Sequence, residues 1–151
     1  LSVDAAAMGA NLERIPFTLE MGLVIERLQD GETHMLLPAG RGNHNLVGTV
    51  HAGAVFTFAE TVAGVAAGAD TLEHGFPFVR SARVRYLRPG DGELHGHARV
   101  EAEDVARVLA ELSEYGRSRL SVSVKIEDTE GRLVAELDVD YAFRPIAGEK
   151  K

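Results

Sequence analysis

Asn45-Leu46-Val47-Gly48-Thr49-Val50-His51-Ala52-Gly53-Ala54-Val55-Phe56-Thr57-Phe58-Ala59-Glu60, continuing through Thr61-Val62-Ala63-Gly64-Val65-Ala66-Ala67-Gly68-Ala69, is the stretch on which the fold turns. From Ala52 to Ala69 its only charge is Glu60. The spacing predicts a helix over Val50 to Ala69, apolar on nearly all sides, as in a helix buried within a core. Its many Ala and Gly residues let other backbones approach closely. The stretch nears the length of a membrane-spanning helix. It has few large apolar side chains, however, and a carboxylate at its centre, where the bilayer is costly. The composition favours a buried helix over a spanning one.

The flanks supply the rest of the fold. Ser2 is expected to cap a short helix running to about Arg14, with Pro16 ending it. Met21 to Gln29 and Thr33 to Leu37 read as strands joined at Asp30-Gly31, a dipeptide favoured in two-residue hairpins. Ala39 to Thr49 is a loop rich in Gly and Asn. Beyond the helix, Phe78 to Leu87 alternates, with Ala82, Val84 and Tyr86 on one face and Ser81, Arg83 and Arg85 on the other. Pro89 to Gly92 is a turn. Glu93 to Glu103 is a strand, Asp104 to Ser113 a short helix, and Arg117 to Ile126 and Arg132 to Phe143 two long strands. The order is helix, two strands, long helix, four strands. That predicts an α+β fold, a mostly antiparallel sheet wrapped around a long central helix. It divides into an N-terminal helical segment (1–14), a single domain (15–147) and a disordered tail (148–151).

Composition narrows the function. The chain of 151 residues carries 16 Lys and Arg against 23 Asp and Glu, a formal net charge of −7, which argues against non-specific nucleic-acid binding. It has no Cys, excluding disulfides, thiolate metal sites and Cys nucleophiles and fitting a reducing, cytoplasmic setting. With no Trp and 6% aromatics, it is poorly equipped to stack single-stranded bases. Leu1 to Ala10 lacks the basic start and apolar core of a signal peptide, and the opening Leu1 suggests a segment of a longer gene product. His34, His44, His74, His95 and His97 show no metal-ligand spacing, so neither metal nor cofactor is expected. No phosphate-cradling Gly loop or Ser nucleophile motif is present.

The start of the long helix is where chemistry concentrates. Its first amides lack helical partners, point outward and carry partial positive charge, so they suit an oxyanion or bound anion. Ala52 and Gly53 leave that approach open. Glu60 is the one charge of a buried helix, and a buried carboxylate must be paired, neutralised or used. Burial moves such a group toward general-base work. Structural roles compete: Gly53 for packing, Glu60 as partner to an Arg, His51 as helix cap.

The pattern Asn45, then Gly48-Thr49-Val50-His51-Ala52-Gly53, then Glu60 resembles the signature of hotdog-fold acyl-CoA thioesterases of the phenylacetyl-CoA thioesterase type. Val84-Arg85-Tyr86-Leu87-Arg88-Pro89 is similar to the family's next landmark, and the resemblance spans about Ile15 to Pro145. More narrowly, the chain resembles an uncharacterised hotdog domain sometimes joined to an acetyltransferase. The family's usual His-Gly-Gly is His51-Ala52-Gly53 here, and Glu60 stands where many members have Asp. The resemblance implies that Glu60 is nucleophile or base, that the Ala52 amide polarises the thioester carbonyl, and that Asn45 positions water or substrate.

Ala52 and Glu60 lie eight residues apart, about 12 Å along one helix. One carbonyl carbon cannot sit about 3 Å from both. A homodimer with composite sites answers this, and two such dimers could assemble into a dimer of dimers (a homotetramer). Arg80, Arg83, Arg85 and Arg88 form a basic cluster without an acid among them. Arg83, Arg85 and Arg88 could bind coenzyme A phosphates, or form a solvated strand face. The expected function is hydrolysis of an acyl-CoA thioester, or of an acyl-carrier-protein thioester. The alternative is a non-catalytic acyl-ligand-binding or dimerisation module. A hydratase reading fits less well, because His51 and Glu60 do not match the His and acid that move its substrate's protons.

Overall fold

The computed structural model describes residues 4–146. Helices α1 (Ala5–Leu12) and α2 (Pro16–Leu19) lead into strands β1 (Val24–Gln29) and β2 (Glu32–Leu37). Helix α3 (Ala52–Gly68) follows, then strands β3 (Phe76–Tyr86) and β4 (Leu94–Arg99), helix α4 (Ala102–Tyr115), and strands β5 (Ser118–Glu127) and β6 (Leu133–Arg144). The six strands form one antiparallel sheet in the order β1-β2-β4-β5-β6-β3.

Local chemistry accounts for the elements. Asp30 and Gly31 both take positive φ, 54° and 78°, the conformation a two-residue hairpin turn requires. In β5, Leu120, Val122, Val124 and Ile126 are buried while Arg119, Ser121, Ser123 and Lys125 are exposed, the alternation of a sheet with one face in water. The buried face curves around α3, which packs against β2 through β6. Phe58 and Val62 of α3 are fully buried with Met35, Leu37, Leu94, Leu137 and Val139 of the sheet. The approach is closest at β4, where a Cβ on Gly96 would lie 2.7 Å from Val62 Cγ2 and 3.0 Å from the Phe58 ring. This is the hotdog arrangement: a curved antiparallel sheet around one long helix.

Several boundaries differ from expectation. Ser2 and the tail 148–151 lie outside the described residues, and the first helix is capped by Asp4, whose Oδ1 accepts from the Ala7 amide at 2.7 Å. Pro16 opens α2 as well as following α1, because its fixed φ suits a first helical position. The strand expected from Met21 starts at Val24, after a turn through Gly22 at φ 64°. The strand expected to reach Glu103 ends at Arg99, and α4 begins at Ala102 with Glu103 and Asp104 in its first turn, where the helix dipole favours acids. That helix runs on to Tyr115 and stops at Gly116 in the left-handed conformation. Among the described residues no helix is long and apolar enough to cross a membrane.

Candidate active site

The loop before α3 is held from within. Asn45 Oδ1 accepts from the amides of Val47 and Thr49, both at 3.1 Å, and its Nδ2 donates to Thr49 Oγ1 at 2.8 Å. The Asn45 side chain therefore sets the loop's shape, leaving one Nδ2 hydrogen for a ligand. The Val50 amide donates to Gly90 O at 2.9 Å and the His51 amide to Asn43 O at 2.6 Å, fixing the direction in which the helix departs.

His51 is the N-cap of α3, its Nδ1 accepting from the Gly53 amide at 2.8 Å. A neutral imidazole accepting at Nδ1 carries its proton on Nε2. A Cβ at Gly53 would sit 3.0 Å from that Nδ1, so the glycine makes room for the capping ring. The Gly53 amide is thereby used, and the Val55 amide donates to His51 O. The Ala52 amide has no hydrogen-bond partner among the described residues and lies exposed at the helix start. From the other side, the Tyr86 hydroxyl donates to Ala52 O at 3.0 Å, tying this turn to β3. Asn45, Ala52, Tyr86 and Arg88 line one cleft of about 400 Å³.

Glu60 faces a different space. Together with Tyr141 it lines an apolar pocket of about 600 Å³ walled by α1, α2, α3 and the start of β3, including Met8, Phe17, Phe56 and Phe78. Burial pushes the Glu60 carboxyl above its ordinary range, and the hydrogen bond from Tyr141 pulls it partly back. The Tyr141 hydroxyl donates toward Glu60 Oε1 and Glu60 O, each at 3.3 Å. Burial first, and then the Glu60 charge, drive the phenol well above its usual value, so it remains a donor. Within one chain, then, the expected site residues divide: Asn45, His51, Ala52 and Gly53 at the helix start, Glu60 in the pocket.

The Arg cluster is not free of acids. Residues on β6 stand opposite it, with Arg83 in register with Asp138 and Arg85 ion-paired to Glu136. These acids are about fifty residues distant in sequence, which hid the pairing. Arg88 alone of the three shares a cleft with Ala52. On the exposed sheet face, His95 meets Glu93 at 3.0 Å and His97 meets Glu127 at 3.6 Å. Among the described residues no three such groups converge on a metal position.

Tyr141 is the site residue that sequence reading missed. Its signal was present: the inward positions of the last strand run Val139, Tyr141, Phe143, and a hydroxyl among buried apolar side chains needs a partner.

A family model described as a domain of unknown function (DUF4442) matches residues 5–142. Among solved structures, a protein of unknown function from Pseudomonas aeruginosa, described as a probable thioesterase, is 31% identical with a TM-score of 0.77, covering 89% of this chain and 90% of that one. A protein of unknown function from Chlorobaculum tepidum is 18% identical with a TM-score of 0.84, covering 96% and 99%. A thioesterase from Haemophilus influenzae is 14% identical with a TM-score of 0.80, covering 100% and 97%. The last two share the fold. No curated protein matches the chain.

Proposed function

The chain belongs to the DUF4442 family, and on the chemistry of its pocket we propose that it is a thioesterase hydrolysing acyl-CoA. One observation carries the reading: among the described residues, Glu60 is the only charged one lining a large apolar pocket. An uncharged acyl group fits such walls, and the carboxylate is then the one group able to drive hydrolysis. The name of the Pseudomonas aeruginosa relative points the same way.

In the proposed reaction Glu60 takes a proton from water as the water oxygen bonds to the thioester carbonyl carbon, or the carboxylate attacks that carbon itself and water then cleaves the resulting anhydride. In either route the C–S bond breaks and coenzyme A leaves as the thiolate, which becomes the thiol by taking the proton that the hydrolysing water gives up, and Glu60 returns to its carboxylate. The unpartnered Ala52 amide stabilises the negative carbonyl oxygen. The helix start and Glu60 open onto separate spaces of one chain, so a second copy supplies the missing half. The edge strand β3 offers the surface for it, with Phe76, Phe78 and Val79 exposed. Arg88, beside Ala52, is the Arg best placed for a coenzyme A phosphate, with Arg83 and Arg85 farther along β3.

Incubating the protein with acyl-CoAs of graded size and measuring free thiol tests the reading. Thiol release that is lost in Glu60→Gln is the expected result. Tight acyl-CoA binding without release would replace hydrolysis by an acyl-binding role.

A further inference from the structure

We propose that Tyr141 is the positioning residue for Glu60, anchoring one carboxylate oxygen so that the other is presented, ionised, to the pocket. The inference rests on the reading of Glu60 as the reacting carboxylate. Tyr141 is 1% exposed, and its ring is fixed in the core on β6. Its hydroxyl lies 3.3 Å from Glu60 Oε1 and 3.3 Å from Glu60 O, so one hydrogen holds both the side chain and the helix carbonyl of the same residue. Glu60 Oε2 has no partner among the described residues. The two oxygens are thus distinguished: one tied, one free.

Among the described residues Tyr141 makes the one side-chain hydrogen bond to the Glu60 carboxylate. Gly64, one turn on, borders the pair: a Cβ there would stand in ordinary contact with the hydroxyl, at 3.6 Å, and with Oε1, at 3.9 Å. Thr61 and Thr18 also line the pocket, but each hydroxyl donates to a backbone carbonyl, of Thr57 and Ile15. Among the described residues, α1, α2 and β3 contribute no charged or titratable side chain to the lining; Glu60 and Tyr141 are the titratable pair. A phenol that donates to the carboxylate favours its ionised form.

The test is the pH profile of kcat. Activity needs ionised Glu60 and falls as pH drops through its pKa. Tyr141→Phe keeps the ring and removes the donor, so the acid limb should move up by about one pH unit, with KM little changed. Placing 3-fluorotyrosine at position 141 makes a stronger donor, and the limb should move down. This second variant keeps the full side chain where Tyr141→Phe fails to fold. A carbon-13 titration of the Glu60 carboxyl should show the same two displacements without turnover. An unmoved limb and unmoved titration, with turnover abolished in Glu60→Gln, would overturn the role of Tyr141 and leave the thioesterase reading standing. Turnover persisting in Glu60→Gln would overturn both.

Discussion

Glu60→Gln separates what the carboxylate contributes to chemistry from what it costs the fold. Gln keeps the shape and an oxygen to accept from Tyr141, but it can neither take a proton nor attack a carbonyl. Turnover should fall at least about 10²-fold. Stability should move the other way. Burial raises this carboxyl in the folded chain, so the folded state holds its proton more tightly than the unfolded. The group's stability is full below the unfolded pKa and is lost as pH rises through the folded one. Gln has no such loss. The variant should melt above wild type at neutral pH, the gap closing as pH falls below the ordinary carboxylate range. Melts that coincide at every pH would show that Glu60 is not strained by burial. Glu60 was legible in the sequence because a single charge stood in an apolar run. Its partner was not: Tyr141 lies 81 residues away, and only the β6 register brings it under the helix. The Arg85 to Glu136 pair was hidden for the same reason, since spacing along a chain does not show what stands across a sheet.

At the scale of elements, the start of α3 carries two predictions. His51→Ala leaves the Gly53 amide without its cap and should cost about 1 kcal/mol, a drop of about 2–4 °C in Tm. His51→Asn, with a short side-chain acceptor, should recover most of it. Ala52→Pro addresses the amide directly. Ala52 is the first helical residue, where proline is favoured, and His51 already has the extended backbone (φ −61°, ψ 136°) that precedes proline comfortably. The substitution should leave Tm nearly unchanged while removing the proposed oxyanion donor, lowering kcat by about 10²- to 10³-fold. A normal kcat would assign the oxyanion elsewhere. The helix itself was readable from Ala and Gly content with one charge, and the hairpin from Asp30-Gly31. Strand ends were not, because they depend on neighbours: β4 stops at Arg99, where its partner β2 has reached the hairpin turn at Glu32. The close approach at Gly96 was equally invisible, being a contact between α3 and a strand nearly thirty residues later.

At the scale of the whole molecule, the question is whether one chain can hold a complete site. The Ala52 amide and Glu60 lie about 12 Å apart along a rigid helix, and they open onto different clefts. No side-chain rotation closes that distance, so hydrolysis asks for a helix start from a second copy beside each Glu60. Light scattering should give at least twice the chain mass. A stable monomer that hydrolyses acyl-CoA would refute the composite site. A sharper experiment uses the two inactive variants together. Glu60→Gln retains its helix-start amide, and Ala52→Pro retains its carboxylate. Unfolded, mixed and refolded in equal amounts, half of the dimers pair one of each. In such a pair one site receives the intact amide from one subunit and the intact carboxylate from the other, while the second site receives both defects. Random mixing should therefore restore about a quarter of wild-type turnover from two preparations with almost none. If amide and carboxylate act within a single chain, every site keeps one defect in every combination, and the mixture stays as inactive as its parts.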